Sequence, residues 1–508
     1  MQQYYIPRQS GVLMPIYSLP GGHGIGSMGR PCMEFLEFLA KAGQKVWQIL
    51  PVGPTGMGNS PYTSCSAFAG NPNLIDLDLL AEEGLLEPAD YAGLSWGKDP
   101  ARVDYEAVEA GRMAMLRKAY LTWKERRPVP GFDTCHDEDF NAFLCASKDW
   151  LDDYALYMAA KTLYRGKDWQ AWPDALRTRR PEALAELRAG SGAEVEFWQF
   201  VQYIFDKQWQ AVRARAKGLG ISIMGDMPIY ISADSADAWA NPELFEMDAA
   251  GRPARVAGCP PDFFSADGQH WGNPLYDWPR HRATGYVWWV RRVRSALYTY
   301  DLLRIDHFRG FDTYWAIPAG AASAREGRWE KGPGIELFEA LEREIGPLPV
   351  VAEDLGDIGD SVRRLLADSR LPGMKVLQFA FSGGDNDFLP HNQIRNCVVY
   401  PGTHDNTTTR DWLENQASEA ERAFVARYLP PAKGESQTRA VVRSAMASPA
   451  KLAIVALQDW LELGPEGRTN TPGTVGMNWS WRCQKSDFSD KLAAEMRALA
   501  VTYLRFYE

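Results

Sequence analysis

The sequence predicts an α/β protein built as a (β/α)8 TIM barrel with inserted subdomains. Short apolar, β-branched runs alternate with helical patterns, eight such runs occur in 508 residues, and four of them end in acidic residues. Alternation implies a parallel sheet. An open doubly wound sheet would alternate in the same way, but the count of eight and the acidic ends favour the barrel.

In chain order the runs are GVLMPIY (11–17), VWQIL (46–50), ISIMG (221–225), LLRI (302–305), VVA (350–352), KVLQF (375–379), CVVY (397–400) and AIVAL (453–457). Helical patterns include MEFLEFLAKA (33–42), YVWWVRRVRSAL (286–297), IELFEALERE (335–344) and SVRRLLAD (361–368). Residues 1–75 would open the barrel. The gap 76–199 reads as a mostly helical insertion subdomain, with patterns at 154–164 and 181–188. Residues 200–508 would complete the barrel, with an active-site loop insertion at 232–278 that is rich in Pro, Gly, Asp and Trp. No C-terminal β-sandwich is expected after the eighth run.

Composition narrows the function. The net charge of −10 argues against a nucleic-acid surface, which would need a basic stripe. No stretch of 18 apolar residues offers a membrane span, and the N-terminus lacks a secretory signal pattern, so a cytoplasmic protein is expected. Seven scattered cysteines without a CxxC pair suggest neither a disulfide framework nor a zinc site. Nineteen Trp residues suit sugar C–H faces and core packing alike. GIGSMG (24–29) matches GxGxxG but has no ribose-binding acid at the right spacing, and reads as a tight connecting loop.

Barrel enzymes carry their chemistry at the carboxyl ends of the strands. Here those ends read GDMPIY (225–230), RIDHFRG (304–310), AEDLG (352–356) and THDN (403–406). Each acid alone could be a helix cap, and Asp354 reads as a cap or a turn residue. Arg304 and Asp306 stand two apart on one strand, so both face the barrel mouth, and the guanidinium would keep Asp306 ionised. A carboxylate nucleophile and a carboxylic acid describe retaining glycoside chemistry. Asp226, Asp306, Glu353 and Asp405 with His404 could also hold a metal, but Arg304 would repel a cation and no HExxH spacing occurs. Neither a metal nor a cofactor is expected.

The order GDMPIY, RIDHFRGF, EDLG and HDN resembles the signature regions of the α-amylase clan. With NSPYTSCSAFAGNPNLI (59–75), PPDFFS (260–265), GNPLYDW (272–278), PGMKVLQFAF (372–381) and TNTPGTVGMNWSWR (469–482), the chain resembles one branch of it. That branch is glycoside hydrolase family 77, the 4-α-glucanotransferases. The resemblance implies that Asp306 is the nucleophile, Glu353 the general acid and base, and Asp405 the stabiliser of the distorted sugar. It implies that Arg304 holds Asp306, that Asp226 and His404 hydrogen-bond the same sugar, and that Tyr62 stacks on it. Asp262, Gln269, Trp271 and Asn478 would be further substrate contacts, with Trp271 and Tyr276 also readable as packing residues. Departures are small: His270 stands where a neutral residue is common, and HDN runs into Thr407, Thr408 and Thr409.

The implied activity is transfer of α-1,4-glucan segments between maltooligosaccharides or to glucose. A retaining α-amylase-type hydrolase is the alternative, and a non-catalytic glucan-binding barrel a more distant one. The expected partners are maltooligosaccharides and other α-1,4-glucans, with no nucleic acid and no membrane, for a monomer or weak homo-oligomer.

Overall fold

The computed structural model describes residues 1–126, 135–261 and 267–507. Its strands are β1 (Gln9–Leu13), β2 (Val46–Gln48), β3 (Ser222–Met227), β4 (Arg255–Cys259), β5 (Gln269–Pro274) and β6 (Leu302–Ile305). They continue with β7 (Thr313–Pro318), β8 (Arg328–Lys331), β9 (Val350–Ala352), β10 (Gly373–Val376), β11 (Cys397–Tyr400) and β12 (Leu452–Ala456). Eight form a parallel sheet in the order β10-β11-β12-β1-β2-β3-β6-β9. The sheet curls into a (β/α)8 barrel. Its strands are nearly all buried, as parallel strands covered on both faces must be, which is why they read as continuous apolar runs.

The two ends of this sheet meet at a seam. The Ala352 N–H donates to Pro372 O at 2.9 Å, and the Met374 N–H donates to Asp354 Oδ1 at 2.6 Å. Asp354 is therefore neither a helix cap nor a simple turn residue; its buried carboxylate joins β9 to β10. The close approach requires a glycine at Gly373, because a Cβ there would lie 2.6 Å from Asp354 Oδ2.

Register positions the chemistry. On β3 and β6, Asp226 stands opposite Arg304; on β6 and β9, Ile305 stands opposite Ala352. Asp306 and Glu353 are the next residues, so they emerge at one level of the barrel mouth. Below them Tyr400 OH donates to Gln48 Oε1 at 2.9 Å, a satisfied polar contact in a buried interior.

Two strands end furthest short of the sequence expectation. β1 stops at Leu13, because Pro15 has no N–H to continue a ladder, and Ile16–Ser18 winds into a 3-10 turn. β10 ends at Val376, and Leu377–Phe379 turns away while Gln378 Nε2 donates to Thr407 O at 3.0 Å. Between Leu77 and β3 the described chain is mostly helical, including Tyr105–Glu125, Cys135–Leu163 and Gly192–Gly218. The last of these crosses residue 199.

The stretch 232–278 holds structure that periodicity missed. β4 and β5 pair antiparallel and join β7 and β8 in a second sheet, ordered β5-β4-β7-β8. Among the described residues no helix is long and apolar enough to cross a membrane.

Replacing Asp354 by Ala would leave the Met374 N–H buried without its acceptor. The expected loss is about 1–3 kcal/mol of stability, read from the urea unfolding midpoint. An unchanged midpoint would mean that the seam does not depend on this carboxylate.

Candidate active site

Strands β3, β6 and β9, with the loop after β11, deliver four carboxylates to the barrel mouth. Arg304 lies at their centre. Its Nη1 contacts Asp226 Oδ1 at 2.7 Å and Oδ2 at 2.6 Å, while its Nη2 lies 2.9 Å from Asp306 Oδ1. Exposure separates their roles: the side chains of Arg304 and Asp226 are 3% and 0% exposed, against 29% for Asp306 and 42% for Asp405. Asp226 and Arg304 lie beneath the floor of the cleft, and Asp306 and Asp405 open into it.

Tyr62 closes one side. Its hydroxyl donates to Asp226 Oδ2 at 2.8 Å and lies 2.8 Å from His404 Nε2, which then carries the proton it donates. The two rings stack with centroids 5.4 Å apart. Burial, with the charge of Asp226, drives the Tyr62 hydroxyl well above the usual phenol range, so it stays protonated. His404 Nε2 is also 3.4 Å from Asp405 Oδ2.

Asp405 is held from the other side by a residue absent from the sequence expectation. Asn470 Nδ2 donates to Asp405 Oδ1 at 2.7 Å, and Arg468 Nε donates to Asn470 O at 2.8 Å. The expected contact Asn478 is engaged within its own loop: its Oδ1 accepts from Thr471 N at 3.0 Å and its Nδ2 donates to Thr474 O at 2.9 Å. Both asparagines belong to TNTPGTVGMNWSWR, and the motif alone does not say which one turns inward.

Glu353 accepts two main-chain hydrogen bonds, from His307 N to Oε2 at 2.7 Å and from Leu355 N to Oε1 at 2.8 Å. Burial pushes its carboxyl up to about 8, and the charge of Asp306 adds to the rise. Burial raises Asp306 as well, to about 6. Arg304 opposes that rise and the side chain remains partly open to the cleft, so Asp306 ionises first and Glu353 keeps its proton.

The second sheet carries two of the remaining expected residues, Gln269 and Trp271. Gln269 Oε1 accepts from Trp271 Nε1 at 3.0 Å, and the half-buried Trp271 ring meets the His307 ring edge-on at 4.9 Å. Tyr276 is buried with its hydroxyl on Ile229 O at 2.7 Å, and is a packing residue. Asp262 lies outside the described residues.

Against known proteins, the family described as 4-alpha-glucanotransferase, glycoside hydrolase 77, matches residues 14–487. The chain belongs to this family. A 4-alpha-glucanotransferase of Thermus thermophilus is 46% identical over 97% of this chain and 98% of its own length. One from Streptococcus pneumoniae (TIGR4) is 44% identical over 99% and 98%. The amylomaltase of Streptococcus agalactiae, solved in complex with acarbose, superposes with a TM-score of 0.94 at 40% identity, covering 98% of this chain and 100% of that one.

Removing Arg304 would leave Asp226 buried and unpaired. Arg304→Met should cost about 3–5 kcal/mol of stability. Adding Asp226→Asn, which removes the stranded charge, should recover part of it in a double-mutant cycle. Additive losses would mean that the two side chains are not energetically coupled.

Proposed function

We propose that this chain is a 4-α-glucanotransferase that works by retaining double displacement, with Asp306 as nucleophile and Glu353 as acid and base. The observation that carries the reading is the pairing of an ionised Asp306, held by Arg304, with a Glu353 that keeps its proton at the same level of the barrel. In the first step the Asp306 carboxylate attacks the anomeric carbon of an α-1,4-linked unit. Glu353 gives its proton to the glycosidic oxygen, the reducing-end fragment leaves as an alcohol, and a β-linked glycosyl ester forms. In the second step the Glu353 carboxylate takes the proton of an acceptor sugar hydroxyl. The acceptor oxygen attacks the same carbon, Asp306 is released, and the α configuration returns.

Asp405, steadied by Asn470 and His404, would bind the hydroxyls of the distorted sugar and strengthen that hold in the transition state. Tyr62 and His404 would line the same subsite, and Asp226 would act by fixing Arg304. Gln269 and Trp271 would meet the acceptor side. The second sheet, through Gln269 and Trp271, would wall the cleft and keep water from the ester. Transfer is favoured over hydrolysis because relatives of 44–46% identity across nearly the whole chain are 4-alpha-glucanotransferases. In this reading the enzyme acts on maltooligosaccharides in the cytoplasm, as a monomer or weak homo-oligomer.

Incubation with maltotriose alone tests this. Glucose together with maltotetraose and longer chains is expected, and Asp306→Asn should abolish their formation. Glucose and maltose alone, with reducing ends rising, would make the protein a hydrolase.

A further inference from the structure

We infer that His307 is a positioning residue for Glu353, acting through its main-chain N–H, and that Trp271 holds it in that role. This rests on the reading of Glu353 as the acid and base.

His307 has φ 54° and ψ 50°, the left-handed region that a non-glycine residue rarely adopts. The chain is tied down on both sides of it: Asp306 N donates to Met227 O and Phe308 N donates to Glu353 O, each at 3.0 Å. Two successive N–H groups therefore converge on one residue, His307 N on the Glu353 carboxylate at 2.7 Å and Phe308 N on its carbonyl. Only the first of them meets the carboxylate; the second ties the two main chains together beside it.

The imidazole supplies no charge there. Burial, with Arg309 nearby, depresses it to about 3, so it is neutral near pH 7. It is instead a packing handle, edge-on to Trp271 at 4.9 Å and tilted against Tyr230 at 6.5 Å. Gly310 leaves room for it, since a Cβ there would lie 3.2 Å from His307 Cδ2. Trp271 lies on β5, an edge of the second sheet, so the element proposed to meet the acceptor also braces the turn that holds the acid.

The chemical need is clear from the two steps. Glu353 must give a proton in one and take one in the next, so neither form can be strongly disfavoured. The charged groups facing it are Arg304 on β6 and Asp306 just beyond that strand, while its neighbour Asp354 is turned to the seam. Burial and Asp306 favour the protonated form. Arg304, together with the N–H groups of His307 and Leu355, favours the carboxylate, and so opposes them.

The test is the pH dependence of kcat/KM on maltotriose in His307→Gly, His307→Asn, His307→Val and Trp271→Ala, with Glu353→Gln in parallel. Gly and Asn tolerate the left-handed turn and keep the N–H in place; the β-branched Val does not. The basic limb should therefore stay where it is in the Gly and Asn variants. In the Val variant, loss of a bond to the charged form should move it up by about one pH unit. Trp271→Ala should move it the same way, and carries the test alone if the Val variant does not fold. An unmoved limb in both Val and Trp271→Ala, or an equal shift in Gly, would overturn the inference. An active Glu353→Gln would instead overturn the acid assignment on which it rests.

Discussion

Arg304 is the constraint on which the site depends. Its guanidinium is almost wholly removed from water and bridges Asp226 and Asp306. Burying a cation is unfavourable unless it is paired and hydrogen-bonded, and the fork of an arginine can serve two carboxylates at once. Asp226, on the neighbouring strand, is the inner partner and has no exposed surface. Asp306, two residues along the same strand, is the outer partner and faces the cleft. One buried charge therefore both locks β3 to β6 and favours the ionised form of the Asp306 carboxylate.

The rest of the mouth balances that charge. Asp306 raises Glu353, while two main-chain N–H groups draw it back. Tyr62 links Asp226 to His404, and His404 and Asn470 hold Asp405 from opposite sides. Asp354 performs a structural task one residue beyond Glu353, so the chain leaving β9 carries two acids with separate duties. Glu353 turns to the His307 and Leu355 N–H groups, and Asp354 to the Met374 N–H, so one acid enters the cleft while the other closes the barrel.

The barrel was legible because its strands are buried on both sides and leave short, clean apolar runs. The Arg304–Asp306 pairing was legible from the two-residue repeat of a strand. The second sheet was not: its strands RVAGC, QHWGNP, TYWAIP and RWEK mix charge, glycine and proline, as partly exposed antiparallel strands allow. Nor could spacing choose Asn470 over Asn478, since a loop has no fixed periodicity. The left-handed turn at His307 carries no compositional mark, because the glycine that usually signals such a turn is absent.

The central claim is that Asp306 forms a bond to the sugar. The most direct measurement is intact-mass and peptide analysis of Glu353→Gln after reaction with α-glucosyl fluoride, a donor whose leaving group needs no protonation. A protein heavier by one anhydroglucose unit, with the added mass on the peptide carrying Asp306, is the predicted result. Fluoride release with the added mass on another residue would contradict the account.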